Sequence, residues 1–161
     1  PDFMCGLLME NKTAAEAARQ IQQLKLRLIS LGFSFGSLVP LILTDHDGEF
    51  SIVSAFENDP EGDAESHMFF CDPNVPYEKP HIGKNLTLFR DIVPAGSSFD
   101  SFTQDTVNLI FSHVNAVKRR LFNGKSAFDM FAFTYSAEAA AALGITFIDP
   151  LDVVQSPALL R

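Results

Sequence analysis

Leu41-Ile42-Leu43-Thr44-Asp45-His46-Asp47-Gly48-Glu49-Phe50 is the stretch that decides the fold. A run of apolar residues ends in an acid and a glycine turn. Such a run reads as a buried strand, here over residues 38–43, with Pro40 marking an irregular or edge start. Its acid then stands at the carboxyl edge of a sheet, where open α/β sheets bind ligands. Carboxylates at that edge commonly hold Mg²⁺, an oxygen-seeking ion. The plain alternative is a polar turn with glycine in a left-handed conformation. An EF-hand loop does not fit, because its glycine belongs at the sixth position after the first acid.

Outward from this stretch the elements alternate. Residues 3–9 are apolar and read as a strand. Thr13-Ala14-Ala15-Glu16 fits a capping box. Ala17, Ile21, Leu24, Leu28 and Leu31 follow at steps of three and four, which predicts a helix over 14–31 closed by Gly32. Strand, helix, strand implies a right-handed crossover onto one sheet. Residues 51–66 read as an acidic loop with one short helix, and 68–71 as a third strand. Pro73, Pro76 and Pro80 make 72–80 an extended loop. A helix is expected over 81–93, stopped by Pro94. Another starts at Ser101 or Thr103, with Val107, Ile110, Val114 and Val117 inward. Ser126 with Asp129 caps a short aromatic helix, and Ser136 opens an Ala-rich one ended by Gly144. Residues 145–148 read as a last strand.

Length and composition frame the rest. The 161 residues amount to about one domain. Hydrophobic residues are 47% and charged residues 20%, which excludes a wholly disordered chain. Sixteen Phe against two Tyr and no Trp point to aromatic core packing. Two cysteines, Cys5 and Cys71, imply no disulfide framework. The longest span without a formal charge, 28–44, is broken by glycine and proline, so a membrane helix is not expected and a cytoplasmic protein is. His46, His67, His81 and His113 lack metal-ligand spacing and read as surface or supporting residues. The net charge of −8 argues against a free-standing nucleic-acid binder. Its layout is uneven. From Leu28 through Glu78 there are ten acids and no Lys or Arg, whereas 79–125 hold seven Lys or Arg against three acids.

Two families compete for the decisive stretch. As Asp-x-Asp-Gly it resembles a haloacid-dehalogenase-like phosphatase, with Asp45 as nucleophile and Asp47 as acid/base. That family also needs a later strand with paired acids, and the acids at 59–65 follow no strand. Thr44-Asp45-x-x-x-Glu49-Phe50 instead resembles the Thr-Asp-Asn-Gly-x-Glu-Phe segment of retroviral-integrase-like DDE transposases. Phe69-Phe70-Cys71-Asp72-Pro73, Tyr77-Glu78-Lys79-Pro80-His81-Ile82-Gly83-Lys84-Asn85, Leu88-Phe89-Arg90, Val93-Pro94, Asn115, Lys118-Arg119-Arg120 and Ser126-Ala127-Phe128 continue in order. The ordered set resembles bacterial insertion-sequence transposases of the thirty type over nearly the whole chain.

The resemblance implies an α/β fold: a ribonuclease-H-like mixed sheet with flanking helices, amino-terminally truncated. Residues 1–125 would be the partial catalytic core and 126–161 a helical extension of the same domain. Three acids of the family hold two divalent metals, Mg²⁺ or Mn²⁺, for DNA strand cleavage and transfer; two-metal chemistry needs carboxylates converging on one edge. Asp45 matches the second acid, as catalytic residue and metal ligand. The first acid would precede Pro1, and Asp2 does not replace it. The third would stand where Gly83 is, and Glu78 is a poor substitute. This copy is therefore expected to bind metal weakly and to be inactive. Lys79, Lys84, Asn85, Arg90, Lys118, Arg119 and Arg120 would contact DNA. Partners would be DNA and further copies of the chain, with no membrane. A non-catalytic DNA-binding or dimerising remnant is the alternative.

Overall fold

The computed structural model describes residues 2–72 and 82–161. The expected loop over 72–80, with Glu78, Lys79 and His81, lies almost wholly outside them. The chain divides into two compact units, Leu7–Pro80 and Pro1–Gly6 with His81–Arg161.

The unit Leu7–Pro80 is built on α1 (Ala14–Ser30). Thr13 is in the extended conformation and its hydroxyl accepts the Glu16 N–H at 3.2 Å. This satisfies one of the orphan donors of the first turn. The return half of the expected capping box is missing. The Glu16 carboxylate instead takes Arg19 (2.7 and 2.9 Å), Gln20 (3.0 Å) and the Glu10 N–H (3.1 Å). Those hydrogen bonds, Arg19 first, hold its carboxyl down to about 2. Ala17, Ile21, Leu24 and Leu28 are buried as their spacing predicts. Leu31 is not: it is the C-cap, past the last turn, and lies exposed.

The strand expected over 38–43 starts later. Residues Phe35–Leu38 form a short helix, α2, and β1 is Leu41–Thr44. Gly36 is required here, because a Cβ on it would sit 2.2 Å from the Glu65 carbonyl oxygen. After a 3-10 turn (Gly48–Phe50) come α3 (Val53–Glu57) and β2 (His67–Phe70). β1 and β2 pair in parallel, Leu41 opposite His67 through Thr44 opposite Phe70. The period-two pattern buries Thr44 and Met68 and leaves Leu41, Leu43 and Phe69 exposed. α3 packs on α1 and on β2.

The second unit holds α4 (Ile82–Ile92), α5 (Gln104–Ala116), α6 (Ala127–Thr134) and α7 (Ala137–Ala142). Its core is Leu88, Ile92, Val93, Ile110 and Val114, ringed by Met4, Phe89, Phe102, Phe111 and Leu159. Phe89 stacks on Phe111 at 5.5 Å, and Phe3 on Phe131 at 4.0 Å. The Phe-rich composition is thus partly core, although Phe133 and Phe147 are exposed. Both expected caps are built. Ser126 and Asp129 exchange bonds at 2.9 and 3.1 Å, and Thr103 with Thr106 forms a second reciprocal box.

Two expected strands are absent. Residues 3–9 make no ladder. Instead the Asn115 side-chain amide, buried on α5, takes the Met4 N–H at 2.9 Å and donates back to the Met4 carbonyl, doing for one residue what a neighbouring strand does for many. Residues 145–148 are likewise not a strand. Ile145 N–H is taken by the Ala140 carbonyl, and Thr146 N–H by the Ser112 hydroxyl. Apolar runs of this length do not reveal which acceptor the backbone will find. Among the described residues, the chain is a mixed α/β protein with a two-stranded parallel sheet and several helices.

Candidate functional site

Asp45 is the first residue beyond β1 and is exposed. The Cys71 N–H still donates to the Thr44 carbonyl at 2.7 Å. The two chains therefore leave the sheet side by side, and Asp45 stands at its carboxyl edge as the sequence predicts. The His46 ring stacks on Phe70 at 5.0 Å. The neighbouring acids are engaged elsewhere: the Lys12 ammonium lies 3.5 Å from Glu49 and 4.0 Å from Asp47. Among the described residues no three His, Cys, Asp or Glu side chains converge as a metal-binding group. The described residues thus do not fit a two-metal centre around Asp45.

Apart from Lys79, the residues expected to face DNA fall in the second unit and divide into two kinds. Lys84, Arg90, Lys118 and Arg120 are exposed. Asn85 and Arg119 are buried and bonded to each other, the Arg119 Nη1 donating to Asn85 Oδ1 at 2.9 Å. Asn85 Nδ2 donates to the Asp2 carbonyl at 3.1 Å. Arg119 Nη1 also lies 3.4 Å from the Asp2 carboxylate. Burial pushes the Arg119 guanidinium below its ordinary range, and Asp2 opposes the shift. Lys79 lies outside the described residues.

Two buried ionisable groups were not anticipated. Lys25 is almost fully buried on the apolar stripe of α1. Its ammonium donates to the carbonyls of Phe56 (2.8 Å) and Asn58 (2.7 Å) and pairs with Glu65 at 3.1 Å. Burial lowers its pKa and Glu65 raises it. The signal was present: Lys25 continues the spacing of Ile21, Leu24 and Leu28. His113 corrects the surface reading of the histidines. It is buried, its Nδ1 accepts the Val154 N–H at 3.0 Å, and burial lowers its pKa against the pull of Asp152. His46 and His67 are exposed as read.

The charge layout follows the units. Leu7–Pro80 carries twelve of the twenty acids and five of the twelve Lys or Arg; the other unit carries eight and seven. Among the described residues no helix is long and apolar enough to cross a membrane.

Fold and site together define a mixed α/β chain with an acid at the carboxyl edge of a parallel strand pair. No protein-family model matches the chain, and no solved structure does. The chain is similar to the protein of Spiroplasma virus SpV1-R8A2 B described as "Putative integrase ORF3", with 28% identity over 126 residues. That alignment covers 78% of this chain and 36% of the viral protein, so the chain spans about a third of its relative.

Proposed function

We propose that this chain is part of an integrase- or transposase-type catalytic domain that binds DNA and does not cleave it unaided. The observation that carries the reading is the place of Asp45, the first residue past β1 of a parallel pair. The likeness to the viral protein points the same way. In this reading Asp45 holds the place of a metal-binding acid of such domains, while the described residues around it do not complete a site for Mg²⁺ or Mn²⁺. Asp47 and Glu49 answer to Lys12, and Gly83 offers no carboxylate, so cleavage is not assigned to the chain itself. Partners are DNA and further copies of the chain. Lys84, Arg90, Lys118 and Arg120 are the exposed cations available to phosphates.

The test is fluorescence anisotropy with a labelled duplex, together with nicking of supercoiled plasmid. Four cations neutralising phosphates give a logarithmic salt slope of about 3 to 4, or about a hundredfold loss of affinity from about 50 to about 200 mM salt. No nicked product is expected with Mg²⁺ or Mn²⁺. Absence of DNA binding at the lower salt, or affinity indifferent to salt, defeats the DNA reading. Nicking abolished by Asp45→Asn defeats the non-cleaving half of it.

A further inference from the structure

Between Asp105 and Asp129 the chain has no acid, and it places Lys118, Arg119, Arg120 and Lys125 there, in a protein whose net charge is −8. All four lie on the tight hairpin 118–126 that joins α5 to α6, closed by an antiparallel bridge between Lys118 and Ser126. The main-chain N–H groups of Arg119, Phe122, Asn123, Gly124 and Lys125 are all bonded within the loop, at 3.0–3.1 Å. Its base is fastened as well. The Arg119 side chain is buried against Asn85, and Ser126 is buried as the cap of α6. A loop held in this way loses little conformational freedom when it binds.

The hairpin presents two kinds of side chain. Lys118, Arg120 and Lys125 are exposed, and none pairs with an acid among the described residues. Leu121, set among them, is 67% exposed. The turn does not require a leucine there. Asn123 and Gly124 fill its two left-handed positions, at φ 53° and 81°, and Phe122 is half-buried with its ring 5.8 Å from the Arg119 guanidinium carbon. An apolar side chain held out among cations fits a partner whose phosphates flank an apolar stack of bases.

We propose that the hairpin 118–126 holds duplex DNA from the minor groove: Lys118, Arg120 and Lys125 meet backbone phosphates, and Leu121 wedges between two base pairs. Such wedges partly unstack a base step and bend the duplex toward the major groove. The inference rests on the DNA reading above and adds to it the element, the groove and the apolar contact.

The experiment uses the full chain and an A·T-rich duplex, end-labelled for anisotropy and carrying a fluorescent adenine analogue whose emission rises when it unstacks. Two variants are compared with the parent. Both alter only exposed side chains, so thermal melting stays unchanged. The parent binds with salt-dependent affinity and raises the emission. Arg120→Gln combined with Lys125→Gln lowers the logarithmic salt slope by about 2. Leu121→Ser keeps the slope and loses the rise in emission. A parent that binds no duplex defeats the DNA reading itself. Salt-dependent binding by the parent with the same slope in the double variant keeps that reading and overturns the hairpin as its contact. Emission that does not rise with the parent, or rises equally with Leu121→Ser, overturns the wedge.

Discussion

At the scale of single residues, position and partner decide what an acid can do. Asp45, Asp47 and Glu49 lie within five positions of each other, yet Lys12 draws the latter two into ion pairs. Glu65 is spent on Lys25, and Glu57 accepts the Met68 N–H at 2.9 Å. Gly83 has room for a side chain among the described residues. Gly83 is the second residue of α4, so Gly83→Glu raises helix stability by about 1 kcal/mol at most, through the lost glycine entropy and an acid near the helix amino terminus. It does not create nicking of supercoiled plasmid in Mn²⁺, since one added carboxylate leaves the acid set incomplete. A gel showing nicked circles with that single variant contradicts the assignment. Asp45 was legible at this scale because a strand ending in an acid has one edge to occupy. The buried fates of Asn85 and Arg119 were not, since nothing local separates an arginine facing solvent from one facing Asn85.

At the scale of elements, the helices were legible and the strands only half so. Caps announce themselves locally: Thr13, Thr103, Ser126 and Ser136 each accept a first-turn N–H. A strand needs a partner elsewhere, and residues 3–9 and 145–148 found side-chain and helix-end acceptors instead. The α1–α3 packing shows how a charge becomes structural. Lys25 ties α1 to the chain leaving α3 through the carbonyls of Phe56 and Asn58, with the Phe35 ring 4.8 Å from its ammonium. Lys25→Ala strands Glu65 and two carbonyls and costs about 3 to 5 kcal/mol, the usual penalty for breaking a buried pair. Thr103→Ala costs about 1 kcal/mol. Urea denaturation compares them; equal effects mean that Lys25 is effectively solvated.

For the whole molecule, acid acts on the two units in different pH ranges. His113 titrates in the folded chain below its ordinary 6.5. A depressed histidine favours the folded state at high pH, and that preference fades as pH falls from about 6.5 through the lower folded value. Its proton would land on the nitrogen that accepts the Val154 N–H. Glu16 is held at about 2 against an ordinary 4.5, so its contribution is full above 4.5 and lost as pH falls toward about 2. The second unit should therefore weaken before α1 does. Hydrogen exchange at the Val154 amide reads this directly. Its protection drops between neutral and mildly acid pH while the α1 amides hold. Unchanged Val154 protection over that range refutes the order. The two-unit organisation left one trace in the sequence, the change from an acidic to a basic stretch near residue 79, and charge alone does not separate two units from two faces of one domain.

Two of the three groups that hold Lys25 belong to the main chain, which substitution does not alter. Phe56 and Asn58 can therefore drift in identity without releasing the ammonium. Covariation among homologues should be nearly silent between Lys25 and those positions and audible only with Glu65. A contact search built on correlated changes would miss the bonds that join this helix to its neighbour.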